Sequence, residues 1–212
     1  MLQEYEKQMK SEIINDDELL QLNYFNVVYT GIIRPVNNVG NLLDCALLLK
    51  DYPNIRFLIY GDGSELKSLK ERIKKDNLNN VRLKGFVEKK YIPYILSKSS
   101  VNILNYSQNQ FNWSRGNSSN KLFEYMASGK PIISTVKMGY SIINKYNCGF
   151  EIEKCTAKDL ADAILKIYHM SKIEYEKISQ NAKIGAKDFD FNILTEKLIN
   201  VIESVKNDKI SY

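Results

Sequence analysis

The chain has 212 residues, is 44% hydrophobic and 26% charged, and carries a net charge of +5 and a single histidine, His169. That is the composition of a globular protein large enough to bury a core, and no apolar run approaches the ~20 residues of a membrane-crossing helix. One histidine leaves no basis for a His-rich metal site, so the chemistry is expected to rest on carboxylates, amides, hydroxyls, basic side chains and backbone N–H groups, with no metal. The positive charge suits an anionic ligand or surface, but Lys and Arg are spread along the chain, so nucleic acid is not an expected partner. Cys45, Cys148 and Cys155 share no ligand or redox spacing and read as reduced thiols. The polar N-terminus is not a secretory signal, which makes the cytoplasm the expected location.

Residues 1–25 form a charged segment or linker, partly helical in character. Residues 26–33 (NVVYTGII) read as a strand, and 39–49 carry apolar residues at helical spacing. Residues 55–60 (IRFLIY) are a second strand, stopped by Gly61-Asp62-Gly63, after which Ser64 is the expected N-cap of a charged helix to about residue 76. A third strand over 80–84 leads to a helix over 89–96, with Pro93 expected as an irregularity, and then to a fourth strand over 101–105. A long polar connection over 106–117 precedes a helix over 120–128, which Gly129-Lys130-Pro131 ends. Strands follow at 132–134 and 149–152, and from residue 157 the pattern is helical, ending in a helix over 192–205. Strands alternating with helices predict an α/β fold, a single Rossmann-like doubly wound parallel sheet over about residues 26–187, followed by a C-terminal helical segment over 188–212.

Ligands of such sheets sit beyond the carboxyl ends of the strands. The loops to consider are therefore those after Gly31, Gly61, Gly85 and Tyr106. Gly61 and Gly63 would let backbone approach a ligand, though a tight turn into a helix uses the same residues. The run from Asn117 to Pro131 is more informative. It sets small polar residues at a helix N-terminus, where N–H groups and the dipole favour phosphate. Glu124 lies one turn on, where a carboxylate could accept two hydroxyls of a ribose while Leu122, Phe123 and Met126 pack inward. A solvated helix glutamate is the alternative.

The run Ser118-Ser119-Asn120-Lys121-Leu122-Phe123-Glu124-Tyr125-Met126-Ala127-Ser128-Gly129-Lys130-Pro131 resembles the S-P-N-K-L-F-E-Y-M-A-A-G-K-P of retaining GT-B glycosyltransferases of family 4, in particular enzymes of capsule and O-antigen assembly. Tyr29-Thr30-Gly31, Gly61-Asp62-Gly63 and Gly85-Phe86-Val87 follow in the order that family has. The resemblance implies that Glu124, as the second glutamate of an E-x7-E motif, binds the nucleotide ribose. It places the diphosphate at Asn117, Ser118, Ser119 and Asn120, the base along Phe86 and Val87, and the loop of Gly31, Asn37 and Asn38 opposite the phosphates. Lys121 and Arg34 are the candidate catalytic cations, each with an exposed surface role as the alternative. The Tyr106–Arg115 loop, with Phe111 and Trp113, falls near the donor sugar.

The likeness has two gaps. The first motif glutamate falls at Gly116, and Ile32 and Asn37 stand where the family carries a basic pair, leaving Arg34 as the substitute. The family also implies a second Rossmann-like domain holding the acceptor, so this chain reads as half of a cleft, with its C-terminal helix packing toward that domain. The implied function is donor binding in transfer of a sugar from a nucleotide diphosphate, UDP above all, to a glycan or lipid-linked acceptor for cell-surface polysaccharide. The expected partners are the nucleotide-sugar donor and an N-terminal acceptor-binding domain or separate subunit, with peripheral contact at the inner face of the membrane through the complete enzyme. The rival readings are a non-catalytic nucleotide-sugar-binding module, a UDP-sugar epimerase and a purely structural domain.

Overall fold

The computed structural model describes residues 2–107, 113, 119–154 and 156–209, with backbone alone for 206–209. The chain begins with α1 (Leu2–Ser11) and α2 (Asp17–Leu20), and then enters β1 (Phe25–Thr30). The rest alternates: α3 (Gly40–Leu48), β2 (Ile55–Tyr60), α4 (Leu66–Lys75), β3 (Val81–Gly85), α5 (Ile92–Ser97), β4 (Val101–Leu104), α6 (Asn120–Ala127), β5 (Ile132–Ser134), α7 (Ile142–Tyr146) and β6 (Gly149–Glu151). Three helices close it: α8 (Ala157–Tyr168), α9 (Lys172–Asp188) and α10 (Phe191–Lys209). The six strands form one sheet in the order β3-β2-β1-β4-β5-β6, and every pairing is parallel. This is the doubly wound arrangement read from the sequence, and the strand order reverses between β1 and β4.

The pleat divides the apolar residues of each strand between two cores. Val27 and Tyr29 of β1, with Ile55, Phe57 and Ile59 of β2, meet Leu42 and Leu43 of α3 and Leu160 and Ile164 of α8. Val28, Leu58 and Tyr60 point the other way, toward Ile95 of α5, Leu122 and Met126 of α6 and Ala182 of α9. Central strands covered on both faces need apolar residues at successive positions, which explains the unbroken runs of β1 and β2.

Two local expectations are corrected. Ser64 does not cap α4: the cap position is Glu65, in helical geometry and without a side-chain cap. Pro93 is no irregularity, because it sits in the first turn of α5, where the missing N–H has no helical partner to lose. A helix the sequence pattern did not suggest, α7, is capped by Ser141, whose side chain accepts from Asn144 N.

The charged N-terminal segment lies on the second face of the sheet, over β2 and β3. Leu19 is buried in the second core. Asp16 accepts from Leu19 N at 3.2 Å and from the Tyr60 hydroxyl at 2.7 Å, and pairs with Lys84 at 2.7 Å. Arg56, only 4% exposed, ties the segment down. Its guanidinium donates to Asn26 Oδ1 at 3.0 Å, to Gln21 Oε1 at 2.8 Å and to the Glu18 carbonyl, and lies over the Tyr24 ring. At the other end, α10 leaves Phe191, Leu198, Val201 and Val205 half or more exposed.

Candidate functional site

The strand order reverses between β1 and β4, and the carboxyl edge of the sheet at such a reversal is where doubly wound folds take their ligands. Asn105, just past β4, donates to the carbonyls of Asn37 and Asn38 at 2.6 and 2.8 Å. Asn37 is buried and donates to the Ile32 carbonyl at 2.5 Å, while Asn38 takes a left-handed conformation that an asparagine tolerates. Both asparagines thereby shape the loop after β1. The glycines 61 and 63 lie against it: a Cβ at Gly61 would collide with the Gly31 carbonyl, and one at Gly63 with the Ile33 carbonyl. Their freedom serves close approach of two backbones, sealed by Gly31 N to Tyr60 O at 2.9 Å and Ile33 N to Asp62 O at 2.8 Å.

α6 starts at this edge. Tyr125, fully buried, aims its hydroxyl at the end of β1, accepting from Thr30 N and donating to Thr30 O, each at 3.3 Å. Ser119 at the start of α6 accepts from the Tyr106 hydroxyl at 2.9 Å. Lys121 Nζ lies 4.9 Å from the centroid of the Tyr29 ring and 5.3 Å from that of Tyr106, and donates to the Tyr29 hydroxyl at 3.4 Å. The ammonium is thus held between two aromatic faces directly over Gly31, where even a Cβ would come within 2.7 Å of it. Burial and the positive charge of Arg34, partly offset by Glu124, pull the Lys121 pKa down to about 8. Arg34 itself is exposed on the facing loop. A cation so poorly solvated, beside a second cation, is set to receive an anion.

Glu124 sits one turn along α6, and burial raises its pKa against the pull of Lys89 and Lys121. It lines a cavity of about 580 Å³, with Tyr5, Lys89, Asn120 and Phe123 among its walls. Phe123 is half-buried and packs against the second core together with Phe189, ring centroids 4.8 Å apart, while Leu122 and Met126 are fully buried. Phe86 is 75% exposed beyond β3, and Val87 borders a separate, shallower hollow with Asp16 and Lys84. The structure therefore sets Lys121 against Gly31 and within the field of Arg34, with Ser119 at the start of the same helix, and places Asn120 and Glu124 on the wall of the cavity one turn along, with Phe86 and Val87 on the neighbouring β3 loop. Asn117, Ser118, Phe111, Arg115, Gly116 and Cys155 lie outside the described residues. Trp113 is described: its ring packs 5.1 Å from Tyr106 and its indole donates to Ser107 O at 3.3 Å.

Sequence reasoning missed the tyrosines. Tyr29 and Tyr106 end or follow strands in apolar runs and read as ordinary core residues, while Tyr5 stands in a charged segment without a strong pattern. Among the described residues no group of three or more His, Cys, Asp or Glu side chains is placed to hold a metal ion. No described helix is long and apolar enough to cross a membrane.

The family described as glycosyl transferases group 1 matches residues 10–184 of this chain. An uncharacterized glycosyltransferase of Methanocaldococcus jannaschii is 25% identical over 166 residues, which cover 77% of this chain and 44% of the relative. The fold is similar to that of HepE from Anabaena in complex with UDP and glucose, with a TM-score of 0.71, 20% identity, and coverage of 96% of this chain and 54% of that one. It is also similar to the C-terminal domain of a group 1 family glycosyl transferase (LpcC) from Francisella tularensis, with a TM-score of 0.64, 22% identity, and coverage of 78% and 85%. This chain spans less than half the length of the curated relative it matches. Its parallel sheet and flanking helices are those of GT-B glycosyltransferases. The chain belongs to the group 1 glycosyl transferases.

Proposed function

We propose that this member of the group 1 glycosyl transferases binds a nucleotide diphosphate sugar, with UDP as the nucleotide, for retaining transfer of a hexosyl unit. The observation that carries the reading is the pairing of Lys121 and Glu124 on one turn of α6 at the switch point of the sheet. Lys121, wedged between Tyr29 and Tyr106 and facing Arg34, meets the diphosphate together with the N–H groups at the start of α6. Glu124 accepts from the ribose hydroxyls. As the sugar leaves, negative charge builds on the β-phosphate. Cations and N–H dipoles already in place stabilise that charge without rearranging, and no divalent metal is required. Gly31, Asn37 and Asn38 shape the facing loop, Gly61 and Gly63 hold it in place, and Phe86 and Val87 border the base.

The acceptor, on this reading a glycan or lipid-linked glycan of a capsule or O-antigen type pathway, is held by an N-terminal domain or a separate subunit. The match to HepE, described with UDP and glucose, supports donor binding by the part of the enzyme that this chain resembles. The complete enzyme then works in the cytoplasm, at the inner face of the membrane.

Calorimetry with UDP, GDP, ADP and CMP tests the assignment. UDP is expected to bind best, and Glu124→Ala to weaken it about tenfold, the usual worth of charge-assisted hydrogen bonds. Failure of all four nucleotides to bind, or an unchanged affinity in Glu124→Ala, would sink it. Turnover of a UDP-sugar without acceptor would favour an epimerase instead.

A further inference from the structure

The cavity beside Glu124 is not built from the Rossmann core alone. One wall is α1, which runs against α5 and α6 and is pinned at its start by Leu2 N donating to Asp190 Oδ2 at 2.7 Å. Its volume of about 580 Å³ lies within the roughly 300–1,000 Å³ common for small-molecule sites. Most of the lining surface is apolar, from residues such as Pro93, Phe123, Phe189 and Leu194, and the polar groups include Tyr5, Gln8, Lys89, Asn120 and Glu124.

Tyr5 is the anomaly. It is 8% exposed, and its hydroxyl has no hydrogen-bond partner among the described residues. An unpaired buried hydroxyl costs free energy, so its presence calls for a reason. Burial and the nearby carboxylate of Glu124 keep it protonated, hence a donor at any ordinary pH. A donor and a carboxylate acceptor thus line the same largely apolar chamber, one turn of α6 away from the ammonium of Lys121.

Building on the proposed nucleotide site, we propose that α1 is a wall of the nucleoside subsite and that Tyr5 is a specificity-determining residue whose hydroxyl donates to a ribose hydroxyl beside Glu124. The nucleoside enters between α1 and α6, its diphosphate staying at Lys121. The apolar lining packs along the ribose, the base extends past Lys89 toward Phe86 and Val87, and the ribose brings to Tyr5 the partner that the free protein withholds. The segment before the sheet is in this way part of donor recognition.

The test is UDP binding by the full chain and by Tyr5→Phe, repeated with 2′-deoxy-UDP and 3′-deoxy-UDP. The substitution keeps the ring and deletes only the unpaired hydroxyl, so the melting temperature of the free chain should hold or rise. UDP affinity should fall about fivefold, as for one net hydrogen bond, and the fall should vanish against one of the two deoxy nucleotides. Unchanged UDP affinity in Tyr5→Phe, with the loss in Glu124→Ala intact, overturns the role of Tyr5 and leaves the nucleotide site standing. An equal loss for all three nucleotides shows that Tyr5 acts through packing, and likewise overturns it. Absence of UDP binding by the unmodified chain overturns the nucleotide site itself.

Discussion

Lys121→Met is expected to make the free protein more stable and the nucleotide complex about a hundredfold weaker at pH 7. The stability gain follows from the sign of the pKa shift. The lysine gives up its proton near pH 8 in the folded chain and near its ordinary 10.5 in the unfolded one. Below pH 8 both states carry the charge, and the folded state bears the whole penalty of burying it beside Arg34. Between pH 8 and 10.5 the folded protein sheds the proton first, so stability contributed by this site rises with pH. Each pKa unit corresponds to roughly 1.4 kcal/mol, and partial solvent access reduces the whole to on the order of 1–2 kcal/mol. A few degrees of melting temperature should therefore be gained at pH 7, and the gain should fade toward pH 10.

Affinity moves oppositely. Losing the cation from a half-buried diphosphate site costs about 3 kcal/mol, hence the hundredfold loss. In the unmodified chain UDP affinity should also fall above pH 8, as the ammonium loses its proton, and Lys121→Met should flatten that decline. Thermal melts and calorimetry across pH 6–10 supply both readouts. A destabilised variant with undiminished affinity would show that Lys121 is a structural cation held by its tyrosines and nothing more.

Arg56→Ala is expected to destabilise the fold by about 3 kcal/mol. The guanidinium serves Asn26, Gln21 and the Glu18 carbonyl at once. Hydrogen bonds from a charged donor contribute about 1.5–3 kcal/mol each, and truncation leaves the Asn26 and Glu18 oxygens without their donor. Part of that is offset by relief from burying the charge, since burial lowers the Arg56 pKa despite the Glu18 and Asp16 carboxylates nearby. A drop in melting temperature on the order of 10 °C follows for a domain of this size. Arg56→Lys should recover little of it, because a point ammonium cannot reproduce three donors in a planar fork. Proteolysis ahead of residue 25 should quicken in the alanine variant, as the segment opens locally. Since α1 and Tyr5 belong to that segment, UDP affinity should fall with it. A loss of stability under 1 kcal/mol would mean that Leu19 and the Asp16–Lys84 pair hold the segment without Arg56.

What could be read from the chain by itself was what local periodicity encodes. The run IRFLIY is β-branched, aromatic and bounded by turns, and it is β2 with the same limits. The helix beginning at Asn120 was legible from small polar residues followed by apolar ones at helical spacing, and so was the position of Glu124 one turn along it. Alternation of strands and helices was enough for a parallel doubly wound sheet, because chirality and short connections leave few other topologies.

Contacts between distant residues were beyond that reading. Arg56 and Asn26 are 30 residues apart, Lys121 and Tyr29 92, and Tyr125 and Thr30 95. No local pattern distinguishes a tyrosine that fills a core from one that cages an ammonium. Nor does a charged N-terminal segment announce which face of the sheet it covers, since its partners Tyr60 and Lys84 lie in strands reached only after one helix and after two. Gly61 and Gly63 show the same limit. In sequence they suggest room for a ligand, whereas in the fold the space above each is taken by the backbone of the loop after β1. Residue type and spacing set the elements and the chemistry available in each. Which groups face one another at the carboxyl edge of the sheet, and which buried hydroxyl lacks a partner, followed only from packing those elements into a single body.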